Sequence, residues 1–439
     1  MKTRTMFALL LCAAPLANAQ TTTVDIPVVD IPYNTAHGLR APSIPQSLAL
    51  GETFYEATHR GIQRALDDHK WLARLAIVGA DLVDTVILPL PGSDGWVHEE
   101  YHRAVLGQRG FGSRNDVYLF KANTDAIAVS HVADEDLVRL KQDHPAEQVR
   151  LSAAGLEAEH QLIQGLEKRE FFDRSRSFQM PIYWLEKISS IAYVMSGTWD
   201  ETNGTTDDMN REDGTNVAKR DFTGHDFTAW IYDLSRPHEP YQARGVHPAG
   251  VGIDRYIKPS DLTPEEFAYL RHQGRLQLLN LLDPFLVARH HFTVNVHGAP
   301  LRLNANVGHL LTSFGRTIDT NLFVARGKAN VLLTVHAYAN GERSFAGLEA
   351  ALVDRPVTVF GRALTVSPRI AIWQQPKGQW FRTSESSAGG LVAVKVRRAG
   401  KGRLGAFAEL EVKTAGWSAG SVALDRNASA RVGVSLRMQ

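Results

Sequence analysis

The strongest constraint in the chain is a change of hydrophobic period about two-thirds of the way along it. From about residue 291 apolar side chains recur at every second position. Val331, Leu333, Val335 and Ala337 alternate with Leu332, Thr334, His336 and Tyr338. Ala406, Ala408, Leu410 and Val412 alternate with Phe407, Glu409, Glu411 and Lys413. Ala430, Val432, Val434, Leu436 and Met438 alternate with Arg431, Gly433, Ser435 and Arg437. A period of two is that of a strand with two unlike faces. Similar runs lie around Ile370 to Trp373 and Leu391 to Arg397, separated by Gly, Pro, Asn and Asp turns. Ahead of residue 291 the period is helical, so the class is α+β, helices first and an antiparallel sheet over 291–439.

Strands of roughly 9 to 11 residues, apolar on one face and often charged on the other, are those of a membrane barrel. The last third of the chain resembles bacterial outer-membrane β-barrel proteins. That resemblance implies a closed antiparallel β-barrel whose apolar faces meet lipid. Lys395, Glu409, Glu411, Lys413 and Arg437 would point to a lumen, and Ser435 would tolerate substitution there. A soluble periplasmic β-sandwich uses the same alternation and is the alternative.

Residues 1–19 read as a signal peptide. Lys2 and Arg4 precede an apolar stretch from Met6 to Leu16, and Ala17-Asn18-Ala19 is a small-residue cleavage site. The chain's one cysteine, Cys12, lies inside it, so the exported protein has no disulfide, no thiol nucleophile and no cysteine metal ligand. Removing Lys2 and Arg4 turns a formal charge of +1 into −1, with no basic footprint for nucleic acid. An exported location at the outer membrane follows, with the periplasm as alternative.

Residues 20–52 carry Asp25-Ile26-Pro27, repeated as Asp30-Ile31-Pro32, then Pro42 and Pro45, and read as an extended arm. Residues 53–198 are helical. Trp71 to Leu90 is the most apolar stretch, but Arg74, Asp81 and Asp84 interrupt it, which favours a buried helix over a membrane span. Further helices are expected over Trp96 to Leu106, Ala146 to Phe172 and Pro181 to Met195. Residues 199–220 read as an acidic exposed loop, whose Asp207, Asp208, Asn210, Glu212 and Asp213 are out of register for a calcium loop. A mixed helical connection over 221–290 follows, with a helix from Thr263 to about Leu282. Trp230, Tyr232, Tyr241 and Tyr256 are core residues by default or a membrane belt.

The chemistry is concentrated in His98-Glu99-Glu100-Tyr101-His102, an H-E-x-x-H sequence. On a helix, positions four apart share a face, so both imidazoles can reach one cation. Glu99 lies off that face, where a carboxylate can act as general base towards a zinc-bound water. A third ligand is needed, and no histidine occurs from Arg103 to Phe111. Gly155-Leu156-Glu157-Ala158-Glu159-His160 offers Glu157 on a helix whose Ala153, Ala154 and Gly155 allow close packing. His160 shares that face and is an alternative, while Glu159 is expected to point elsewhere.

These residues resemble the gluzincin class of zinc metallopeptidases. The resemblance implies Zn²⁺ held by His98, His102 and Glu157, Glu99 as base, and a peptide or protein substrate. Such sites add an oxyanion donor, for which Tyr101, His160, His225 and Tyr232 are the candidates. The alternative function is a non-enzymatic barrel or periplasmic binding protein with a structural or absent metal site. An open cleft beside His98 favours the hydrolase, and an enclosed helix favours the alternative.

Overall fold

The computed structural model describes residues 22–37, 41–86, 90–116, 128–175, 177–400 and 402–438. The signal peptide expected over 1–19 lies outside the described residues. The helices are α1 (Tyr33–His37), α2 (Ile44–Ala65), α3 (Lys70–Val86), α4 (Asp94–Gln108), α5 (Asp134–Asp143), α6 (Pro145–Phe172), α7 (Met180–Ser196), α8 (Glu201–Asp213), α9 (Asp226–Ser235) and α10 (Pro264–Leu276). The strands are β1 (Thr22–Ile31), β2 (Arg114–Asn115), β3 (Val129–Ser130), β4 (Phe292–Val296), β5 (Ala299–Thr312), β6 (Gly315–Arg326) and β7 (Ala329–Ala339). They continue as β8 (Ser344–Leu352), β9 (Arg355–Val359), β10 (Arg362–Pro376), β11 (Ser386–Ala399), β12 (Leu404–Lys413) and β13 (Asn427–Met438).

Eleven strands form one antiparallel sheet in the order β1-β13-β12-β11-β10-β8-β7-β6-β5-β4, with β9 paired to β10. The α+β class is therefore correct. The closed barrel is not: β1 and β4 end the ladder and do not pair with each other among the described residues. The proline-rich arm is not an unpaired extension either. Its first half is β1, hydrogen-bonded to β13, and its second half enters α2 at Ile44. Proline is tolerated in β1 because the strand lies at the sheet's edge, and the register shifts between Pro27 and Val29. Ser43 caps α2 through a reciprocal bond pair with Gln46.

One face of the sheet is open and apolar, and the other packs Phe323, Leu332, Tyr338, Phe345 and Leu391 into the core beside its ion pairs. On one face Ile370 lies opposite Val392, which lies opposite Val412, and Val394 lies opposite Leu410. These side chains are open, Leu410 by 64% and Val412 by 60%. The other face carries the charges. Asp25 of β1 pairs with Lys395 and Arg397 of β11, Arg397 also meets Asp354, and Arg369 reaches Glu411 at 2.8 Å. Lys395, Glu409, Glu411 and Lys413 face inward as expected. Arg437 is exposed at a strand end, and Ser435 is buried with its hydroxyl donating to Asp25 at 2.7 Å, so it is not an open lumen position.

Helix α6 runs along this inner face, meeting β5 and β6 on one side. Across a cavity it faces β8 and β10 to β13. Its partners on the other side include α2, α4, α7 and α9. The acidic loop expected over 199–220 is instead largely helix α8, whose buried residues Thr202, Thr206 and Asn210 recur every fourth position. Polar groups line that buried stripe, so no apolar period marks it. Trp230, Tyr241 and Tyr256 are core residues, and His290 bonds Glu170 at 2.6 Å. The stretch from Trp71 is helical to Val86 but only half-buried. It buries Ala73, Ile77, Asp81 and Asp84 and exposes Trp71, Leu75 and Leu82. Inside, Asp81 pairs with His59 at 2.7 Å and Asp84 accepts from the Tyr55 hydroxyl at 2.6 Å.

Candidate metal centre

The H-E-x-x-H segment lies on α4, which starts after Ser93. The hydroxyl of Tyr55 accepts from the Asp94 amide at 3.1 Å, supplying the terminal acceptor that the Ser93 side chain does not. From Trp96 to Gly107 every residue of α4 is buried. His98 and His102 come one turn apart, their ring centroids 4.9 Å from each other.

The face of α6 opposite them is built from one stripe, Leu151, Gly155 and Glu159, spaced four residues apart. Leu151 accepts from His102 Nδ1 through its carbonyl at 2.6 Å. Gly155 leaves room for the His98 ring; a Cβ there would stand 2.1 Å from Nε2. Glu159 accepts from His98 Nδ1 at 2.8 Å and is itself held by the Ser190 hydroxyl. With both Nδ1 atoms occupied, both Nε2 atoms are turned to the same point. Acceptors of this kind orient metal-binding imidazoles and fix their tautomer.

At that point sits Asp226, the first residue of α9. His225 caps this helix by accepting from the Phe227 amide, which holds the start of α9 in place. Asp226 Oδ2 is 3.2 Å from His98 Nε2, 3.5 Å from His102 Nε2 and accepts from the Tyr193 hydroxyl at 3.1 Å. The three ligand atoms lie within 4.8 Å of one another. Zinc bonds of ~2.0–2.1 Å at tetrahedral angles separate ligand atoms by about 3.3–3.4 Å, which the two Nε2–Oδ2 distances match. The donor set, two imidazoles and a carboxylate, suits zinc.

Glu157, expected as the third ligand, is not in this cluster. Both its carboxylate oxygens accept from Arg150, at 2.8 and 3.0 Å, and one also accepts from the Gly420 amide. Two residues from Glu159 on a helix, it lies off the Leu151, Gly155 and Glu159 stripe that meets His98 and His102. Glu159, expected to point elsewhere, bonds His98 instead. His160 does not ligate either, since its ring lines a separate cavity beside Asn280, 3.4 Å away.

No family model, curated protein or solved structure matches this chain. The site's chemistry therefore rests on its own geometry and electrostatics.

Glu99 is 8% exposed and does not join the ligand cluster. Burial pushes its carboxyl up to about 7; His98 and His102 oppose that rise, and Asp226 and Asp116 add to it. Burial also raises the Asp221 carboxyl, helped by Glu99 and Asp226. Burial alone would raise Asp226, but His102 and His98 outweigh it and hold that carboxyl far below the carboxylate range. For His98, burial works downwards and is overcome by the bonds to Asp226 and Glu159. A cation at the two Nε2 atoms would take the place of the proton that His98 shares with Asp226.

Of the four expected oxyanion donors, none bonds Asp226. Tyr101 is enclosed in the core beneath α4, and Tyr232 stacks on Arg236 at 3.8 Å. His160 is in the other cavity, and His225 is committed to Ser196 and the α9 cap. The hydroxyl in place is that of Tyr193, which sequence reading missed. Its ring packs against His98 and His225.

Proposed function

We propose that this chain is a zinc-dependent hydrolase of the outer membrane that acts on peptides, with His98, His102 and Asp226 as ligands. The carrying observation is that two oriented imidazoles and one carboxylate converge from α4 and α9 while the neighbouring Glu99 stays out of the cluster. Three protein ligands are the number kept by catalytic zinc sites, whereas structural ones close with four. When bound, zinc would supply Lewis acidity and a water of lowered pKa. Glu99 would take the proton from that water and deliver it to the leaving amine. Tyr193 would turn its hydroxyl to the developing oxyanion, and Glu159 would hold the His98 tautomer. Incubating zinc-loaded protein with an unstructured peptide library, read by mass spectrometry, tests this. Glu99→Gln should retain zinc and lose cleavage; equal cleavage by both proteins refutes it.

The complete burial of α4 favours a second reading, a non-catalytic metal site within a barrel-borne or periplasmic binding protein. Fully zinc-loaded wild-type protein that cleaves nothing in the library would decide for it.

The membrane placement is supported by the open apolar face of the sheet, with valines, leucines and isoleucines outside. Trp71, Leu75 and Leu82 of α3 add an apolar helix face. Among the described residues, no helix is long and apolar enough to cross a membrane. A spanning sheet must have no free edge in hydrocarbon, so the β1–β4 seam would have to close or be covered. Release of all the protein by osmotic shock without detergent would overturn this placement.

A further inference from the structure

A cavity of about 290 Å³ lies between α2 and α6 on one side and the inner face of β1, β8 and β10 to β13 on the other. At roughly 30 Å³ per water, it has room for about ten waters or a small ligand. It is distinct from the metal centre: none of His98, His102, Asp226 or Glu99 lines it. Its walls carry acids and bases, and the acids are engaged. Asp25 accepts from Arg397 and Ser435 and pairs with Lys395, Glu52 accepts from Arg169, Glu411 from Arg369, and Asp173 from the Thr22 hydroxyl.

Lys168 is the exception. It projects from α6 into this cavity and has no hydrogen bond or ion pair among the described residues. Burial and the nearby Lys395, Arg369 and Arg169 all lower its pKa, opposed by Glu52. Lys168 is half-buried, and its ammonium, beside Lys395 and Arg169 and without a carboxylate partner among the described residues, offers the cavity a positive charge that an anion can join. We infer that this cavity is a binding site for a small oxyanion, a carboxylate or phosphate group, paired by Lys168 between the helical layer and the sheet.

The test uses the full chain, zinc-loaded and in detergent, titrated calorimetrically at pH 7 and low salt with inorganic phosphate and, separately, with acetate. At least one should bind saturably, one per chain, and raise the melting temperature; which one binds distinguishes phosphate from carboxylate. Lys168→Met should weaken that binding at least tenfold and, without anion, melt no lower than wild type. Lys168→Arg should keep the site. Binding should persist in His102→Ala, which separates it from anion capture by zinc. Neither probe binding wild type, undiminished binding by Lys168→Met, a lower anion-free melting temperature for that variant, or loss in His102→Ala would each overturn the inference.

Discussion

Gly155 lies inside a 28-residue helix, where alanine ordinarily stabilises by about 1 kcal/mol. Here the order should invert. The added methyl would stand 2.1 Å from His98 Nε2 and 2.3 Å from Cδ2 and Cε1, against ordinary contact from 3.4 Å. The ring or the helix must therefore move by more than about 1 Å, and the ring is held at Nδ1 by Glu159. Overpacking of this kind costs about 1–3 kcal/mol, which cancels the propensity gain and leaves a net loss of up to about 2 kcal/mol. Displacing an imidazole by that distance should cost at least 10- to 100-fold in zinc affinity, the scale seen when a ligand's orienting partner is lost. Gly61→Ala and Gly79→Ala are the controls: both are helical, exposed and have nothing within 4 Å of the new Cβ. They should raise stability by up to about 1 kcal/mol. Competition with a chromophoric chelator gives the affinities, and calorimetry gives the stabilities. Zinc affinity of Gly155→Ala within threefold of wild type would refute the close approach of α6 to the site.

Tyr193→Phe should keep zinc and lower kcat by about 10²-fold in the peptide assay, as loss of one oxyanion donor does; unchanged kcat removes Tyr193 from that role. Burial, and then Asp94, push the Asp84 carboxyl up to about 7 against hydrogen bonds from Tyr55 and Leu90. The folded state thus holds a proton that the unfolded chain releases near pH 4, so wild-type stability falls as pH rises through 7. The melting-temperature advantage of Asp84→Asn should grow from pH 4 to pH 8, and a constant difference would contradict this. Val412→Arg, on the open sheet face, should cost about 2–4 kcal/mol if that position sits at mid-bilayer and little in water. Heat-modifiability and detergent-fraction yield read the outcome, and normal assembly speaks against lipid contact.

The juxtaposition of His98 and His102 was legible because helical spacing is local: four residues separate them whatever surrounds them. The third member of the cluster was not. Asp226 reaches the pair only through the packing of α9 against α6, and Glu157 and Glu159 differ by the phase of one helix. That phase could have been read from Gly155, since a glycine in a long helix marks close approach and Glu159 lies one turn further along the same face. Strands β7 and β10 to β13 were legible through their alternation. β1 was hidden by its prolines, which an edge strand tolerates, and α8 by a buried stripe made of threonine and asparagine. Closure of the sheet has no local signature, because every strand alternates alike whether or not the two edges meet.

If the proposed zinc site forms, Asp226, and not Glu157, completes it with His98 and His102. Metal analysis of chain purified without chelator, as wild type, Asp226→Ala and Glu157→Gln, tests it directly. The expected result is one zinc per wild-type chain, loss in Asp226→Ala and retention in Glu157→Gln. Wild-type protein without stoichiometric zinc, or zinc kept by Asp226→Ala and lost by Glu157→Gln, would contradict it.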